Sequence, residues 1–137
     1  MNQPSKPVAT PARAVAPRVT GPAHVLAAAG YSMSGLRRLW SETAFRHEAL
    51  ALLPCLALFL WVGASLAELA GLVVLFLLTV AVEALNTAIE CLVDHVSPEW
   101  SAAARDAKDL GSLAVMCLLI ATGLYVAAVV AGHVLGT

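Results

Sequence analysis

Glu83-Ala84-Leu85-Asn86-Thr87-Ala88-Ile89-Glu90-Cys91-Leu92-Val93-Asp94 sets two glutamates, an amide and a terminal aspartate in a segment that otherwise reads as an apolar rod. At 100° per residue, Glu83, Asn86, Glu90 and Asp94 fall at about 0°, 300°, 340° and 20°, on a single helical face. A central acidic residue costs on the order of 3 kcal/mol on insertion into a bilayer, so the Glu83 and Glu90 pair costs about 6. The apolar residues from Leu69 to Val93 return about 7 kcal/mol, which leaves the helix able to insert with little surplus. One Asn in such a segment would read as a hydrogen-bonding contact between helices. A whole stripe of polar groups held at this cost points to function.

Outward from that stripe, composition sets the class. Of 137 residues, 60% are hydrophobic and only 12% charged, too apolar for an ordinary soluble domain of this length. Three apolar stretches, at about 49–66, 69–93 and 110–135, each approach the roughly 17–25 residues that cross hydrocarbon. The expected architecture is an all-α integral membrane protein with three spans. Pro54 should kink the first span, and Gly63 should weaken its far end.

The basic residues are distributed unevenly. Lys6, Arg13, Arg18, Arg37, Arg38 and Arg46 precede the first span, and Arg105 and Lys108 lie between the second and third. By the positive-inside rule the N-terminus and the second loop are cytoplasmic, while the turn at Glu68 and the C-terminus face outward. Glu90 and Asp94 then sit at the cytoplasmic mouth, with Glu83 about 10 Å deeper.

Residues 1–22 carry five prolines and three basic residues but no acid, and are expected to form a disordered tail ahead of a membrane domain over 23–137. From about 24 to 47, Leu36, Leu39 and Trp40 recur at helical spacing with Arg37 and Arg38 between them. That pattern predicts an amphipathic helix in the membrane interface, broken or bent at Gly30-Tyr31-Ser32, with Ser32 able to cap the following turn. Glu42 and Glu48 read as a solvated face paired with Arg38 and Arg46. Cys55, Cys91 and Cys117 match no zinc or redox spacing and read as reduced packing residues. Pro98 should stop the second span, Trp100 suits an interfacial anchor, and Gly111-Ser112 permits close helix approach.

Carboxylate oxygens, an amide and Lys108 at a lipid–water boundary suit a magnesium ion and a phosphate. Mg²⁺ takes one or two carboxylates and leaves the rest of its shell to phosphate oxygens. Lys108 can meet phosphate charge, and the deeper Glu83 is the natural base for a lipid hydroxyl. No phosphate loop of the form G-x-x-x-x-G-K-S/T and no soluble-kinase signature is present. Two other classes remain open on residues alone: a small proton- or cation-coupled transporter, and a structural subunit assembled through its polar stripe.

The stretch from Glu83 to Asp94 resembles the E-x-L-N-S/T-S/A-I-E-x-x-V-D signature of the prokaryotic diacylglycerol kinase family. Ala28-Ala29-Gly30-Tyr31-Ser32 with Gly35-Leu36-Arg37, Ala44-Phe45-Arg46 with Glu48, and Ala107-Lys108-Asp109 with Gly111-Ser112 extend the match in order and spacing. The resemblance implies a homotrimer of three-span subunits, each with an N-terminal surface helix, in the bacterial inner membrane. It implies that MgATP phosphorylates a lipid alcohol. Carried over by position, Glu83 is similar to the catalytic base at the lipid substrate, and Glu42 and Glu90 to metal-binding carboxylates at the nucleotide. Asn86, Lys108, Asp109, Tyr31 and Glu99 resemble ATP-site residues, and Ser112 a residue lining the lipid site. The chain departs from the pattern at His24, where an arginine is usual, in a segment one residue shorter around Trp40-Ser41-Glu42, and at Arg105-Asp106, where the basic residue stands one place early. The Ala-rich spans resemble the Gram-negative branch, so diacylglycerol is the expected substrate and undecaprenol the alternative within the family.

Overall fold

The computed structural model describes residues 22–136; the expected tail therefore lies outside the described residues except for Pro22. Four helices follow in order: α1 (Pro22–Trp40), α2 (Thr43–Val62), α3 (Leu66–Val96) and α4 (Ala102–Leu135). Three of them, α2, α3 and α4, are long and apolar enough to cross a membrane, and the described residues form an all-helical architecture of a membrane protein. At 1.5 Å per residue α3 and α4 run to about 46 and 51 Å, so both exceed the roughly 30 Å hydrocarbon layer. Their surplus turns carry the polar ends.

Local chemistry accounts for the boundaries. Gly63 takes φ 76°, a left-handed conformation that ends α2. Ser65 and Glu68 then form a reciprocal capping box that starts α3. At the next junction the Ser101 hydroxyl accepts from the Ala104 amide, so α4 begins at Ala102, well before the apolar run expected from about 110. The first residues of α4 are polar and small, invisible to a search for hydrophobicity.

Two expectations for the N-terminal region change. α1 runs unbroken through Gly30-Tyr31-Ser32, and the Ser32 hydroxyl donates to the Ala28 carbonyl 3.1 Å away within the helix, which removes it as a cap. The break instead falls at Ser41-Glu42, so the first helix ends earlier than 47 and α2 begins before 49. Leu39 and Phe45, each 3% exposed, pack that corner, and Trp40 meets Phe45 edge-on. Helix α2 continues through Pro54.

The pairing of α3 with α4 is the most extensive in the molecule. Two glycines set how closely these helices approach. A Cβ on Gly71 would lie 2.8 Å from Tyr125 Cζ, and one on Gly111 would lie 3.3 Å from Asn86 Cγ. Residues 71 and 86 of α3 thus lie level with 125 and 111 of α4, an antiparallel register. Phe59, Leu72 and Val129 form the core cluster where α2 joins this pair.

Most large apolar side chains face outward, among them Leu60, Trp61, Val74, Leu77, Leu85, Leu92, Ile120 and Leu124. The polar ones turn in: Thr79, Glu83, Asn86 and Thr87 are all buried. That inversion suits a chain whose solvent is lipid. Cys91 and Cys117 are exposed and only Cys55 is half-buried, so two of the three thiols do not pack within the chain as expected.

Candidate active site

The polar stripe of α3 lines a cavity of about 330 Å³ between α2, α3 and α4. Glu83, Asn86, Thr87 and Glu90 come from α3, Glu42 and Glu48 from the start of α2, and Ser112 from α4. Five of the residues singled out from sequence therefore meet here: Glu42, Glu83, Asn86, Glu90 and Ser112. Burial grades along the stripe from Glu83 (5% exposed) and Asn86 (9%) to the exposed Asp94, so Glu83 occupies its enclosed end.

Asn86 is held from two sides. Its Nδ2 donates to Glu90 Oε1 at 3.2 Å, while its Oδ1 presses on Gly111 and has no partner of its own. A buried carbonyl oxygen without a donor costs about 1–3 kcal/mol, so the Asn86 side chain is held against Gly111 at a cost in stability. Among the described residues no cluster of three or more His, Cys, Asp or Glu side chains is gathered as for a protein-only metal cage. Two carboxylates of one cavity, Glu42 and Glu90, do fit an ion that draws its remaining ligands from phosphate and water.

Glu42 sits at the corner between α1 and α2, where Arg38 of the preceding helix bonds its carboxylate. This is the i,i+4 pair expected from sequence. The bond to Glu42 pushes the Arg38 pKa up. Arg38 also reaches Cys91 Sγ at 3.7 Å and so ties the corner to α3.

Glu48 behaves otherwise than expected. Its pairing with Arg46 does not form: the Arg46 guanidinium donates to Thr43 Oγ1, and Glu48 turns inward beside Glu83, with Oε2 buried and unpartnered. It is the site residue that sequence reasoning missed. The signal that could have found it is its spacing: Glu48 lies two residues after Arg46, about 200° around the helix, so the two side chains point to opposite faces and do not pair.

Past the cavity mouth, Lys108 Nζ donates to Asp94 Oδ1 at 2.9 Å and bridges α4 to α3. Lys108 and Glu99 line a second hollow of about 360 Å³ with Asp94, Trp100 and Arg105, built on the α3–α4 loop. Of the remaining expected nucleotide residues, Tyr31 is 74% exposed on α1, and Asp109 faces outward 4.0 Å from Arg105. Neither lines the main cavity. Asp106 binds Arg105 at 2.8 Å, so the displaced basic residue has a carboxylate beside it. The His24 side chain lies outside the described residues.

An acid-lined cavity among membrane-length helices suits an enzyme that handles charged oxygen ligands at a membrane. Residues 30–130 match the family described as prokaryotic diacylglycerol kinase. A protein of Sinorhizobium named diacylglycerol kinase is 50% identical over 111 residues, 81% of each chain. Its namesake from Escherichia coli K12 is 37% identical over 77% of this chain and 88% of that one. In Haemophilus influenzae a protein of the same name is 33% identical over 78% and 92%. The chain belongs to the prokaryotic diacylglycerol kinase family, and it is a lipid kinase.

Proposed function

We propose that this chain transfers the γ-phosphoryl group of ATP to the free hydroxyl of diacylglycerol and releases phosphatidic acid and ADP. The observation that carries this reading is Glu83, an acid buried between apolar helices at the closed end of a cavity whose other end presents Glu42, Glu90 and Asn86. Its position suits a base for an alcohol that arrives from lipid. Glu83 accepts the hydroxyl proton as the lipid oxygen bonds to the γ-phosphorus. The bond from that phosphorus to the β–γ bridging oxygen breaks, and ADP departs.

Glu42 and Glu90 would hold Mg²⁺, which when bound with the nucleotide offsets phosphate charge. Asn86 orients Glu90 through its amide, and Lys108 offers a cation to the phosphates once drawn from Asp94. Glu99, Asp109 and Tyr31 belong to the nucleotide side of the proposal, and Ser112 to the lipid side. The surface-helix role of α1, a cytoplasmic N-terminus and a homotrimer complete it. The outward-facing apolar residues support an assembly or a lipid shell around each subunit.

The test is to follow radiolabelled phosphate from ATP into diacylglycerol and undecaprenol, supplied in parallel in mixed micelles to purified protein. Label in phosphatidic acid is expected. Label in undecaprenyl phosphate alone would move the assignment to the polyprenol branch, and label in neither would refute both.

A further inference from the structure

A further cavity, of about 290 Å³, lies beside the first. The two share Glu48 and Leu119 as common wall. Ala51, Leu52, Leu72, Phe76 and Leu119 make it largely apolar, His47 and Glu48 of α2 add polar groups to its lining, and two threonines from facing helices border it: Thr79 of α3 and Thr122 of α4. A threonine within a helix in apolar surroundings normally returns its hydroxyl to its own backbone. Thr79 does so, donating to the Leu75 carbonyl at 3.0 Å. Thr122 does not: its Oγ1 is buried with no partner among the described residues.

We infer that the free Thr122 hydroxyl donates a hydrogen bond to an ester carbonyl of the lipid substrate, and so selects acylglycerols over alcohols that lack an ester. The inference rests on the kinase reading above. An unpartnered donor in an apolar pocket suits a ligand with an isolated acceptor set in hydrocarbon, which is the chemistry of a fatty-acyl ester.

Depth agrees with this choice. From the register of Gly71 with Tyr125 and Gly111 with Asn86, Thr122 lies level with about residue 75 of α3, about 12 Å along the bundle from Glu83. Side chains lean toward the N-terminus of their own helix. In antiparallel helices Glu83 and Thr122 therefore lean toward each other. The gap left between carboxylate and hydroxyl is one that a glycerol backbone with one ester linkage spans, with the alcohol at Glu83 and the acyl chain lying against Leu72 and Phe76.

The experiment compares diacylglycerol with a dialkylglycerol of equal chain length, whose ether oxygens are poorer acceptors, for the full chain and for Thr122→Val, Thr122→Ala and Thr122→Ser. For the unaltered protein, kcat/KM for the ester should exceed that for the ether by about three- to tenfold, the size of one neutral hydrogen bond. Thr122→Val and Thr122→Ala should lose that preference by weakening the ester reaction alone, and Thr122→Ser should keep it. Equal loss on both lipids, or an unchanged ratio in Thr122→Val and Thr122→Ala, overturns the inference while leaving the kinase reading intact. Absence of diacylglycerol phosphorylation by the unaltered protein overturns the kinase reading first and this inference with it.

Discussion

Asn86 and Gly111 meet side chain to backbone at the centre of the site, and the contact tolerates nothing larger than hydrogen at position 111. Gly111→Ala should displace the Asn86 amide from Glu90, cost about 1–3 kcal/mol of stability and lower kcat about tenfold. A thermal midpoint and a turnover number measured on one preparation check both. Glu83→Gln removes the proposed base while keeping shape and burial. The variant should bind MgATP and remain folded, yet lose about 10²- to 10⁴-fold in turnover; near-normal phosphorylation would end the assignment. Glu90→Gln should raise the Mg²⁺ concentration needed for half-maximal activity, and an unchanged titration would remove Glu90 from the metal. At this scale the sequence was informative about the stripe, because helical period alone puts Glu83, Asn86 and Glu90 together. It misled about Glu48, because the surface pairing with Arg46 spans only two residues, which point to opposite faces of α2.

Among the elements, the α3–α4 hairpin carries the site at one end and a clasp at the other. At the clasp, Tyr125 donates to the Glu68 carbonyl at 2.7 Å, and His133 Nε2 lies 3.2 Å from the Glu68 carboxylate. Tyr125→Phe removes one hydrogen bond and keeps the ring against Gly71. It should cost about 1 kcal/mol and lower the thermal midpoint, with kcat unchanged because Glu83 lies several turns away along α3. A matching loss of kcat would show that the two ends are coupled. The three long helices were legible from their apolar runs. Their starts were less so, since capping by Ser101 and the corner at Glu42 depend on polar residues that a hydropathy scan passes over. The continuity of α1 across Gly30 shows propensity overridden by length: a single glycine costs about 1 kcal/mol, less than a break would.

For the molecule as a whole, the described residues bury a small core around Phe59, Leu72 and Val129 and leave wide apolar faces outside. Lipid satisfies such faces without any partner, so packing within one chain does not decide the number of copies. The proposed homotrimer makes its own prediction: brief cross-linking in mild detergent should give a ladder that ends at three times 14.2 kDa. A protein that stays at the single-chain mass while active would exclude the trimer.

By itself the sequence determined the membrane class, the three spans and the polar face of α3, because each depends on local composition or on the fixed 100° turn of a helix. It also carried the family, through a signature read residue by residue. The tertiary structure alone decided which of the candidate residues share one cavity, since that depends on the register of α3 against α4 and on the corner between α1 and α2. It brought Glu42, Glu83, Asn86, Glu90 and Ser112 together, added Glu48, and left Tyr31 and Asp109 apart. It also left the Thr122 hydroxyl without a partner. No pattern along the chain encodes that fact, because Thr122 and Thr79 are the same residue on similar helices and differ only in where their hydroxyls can turn.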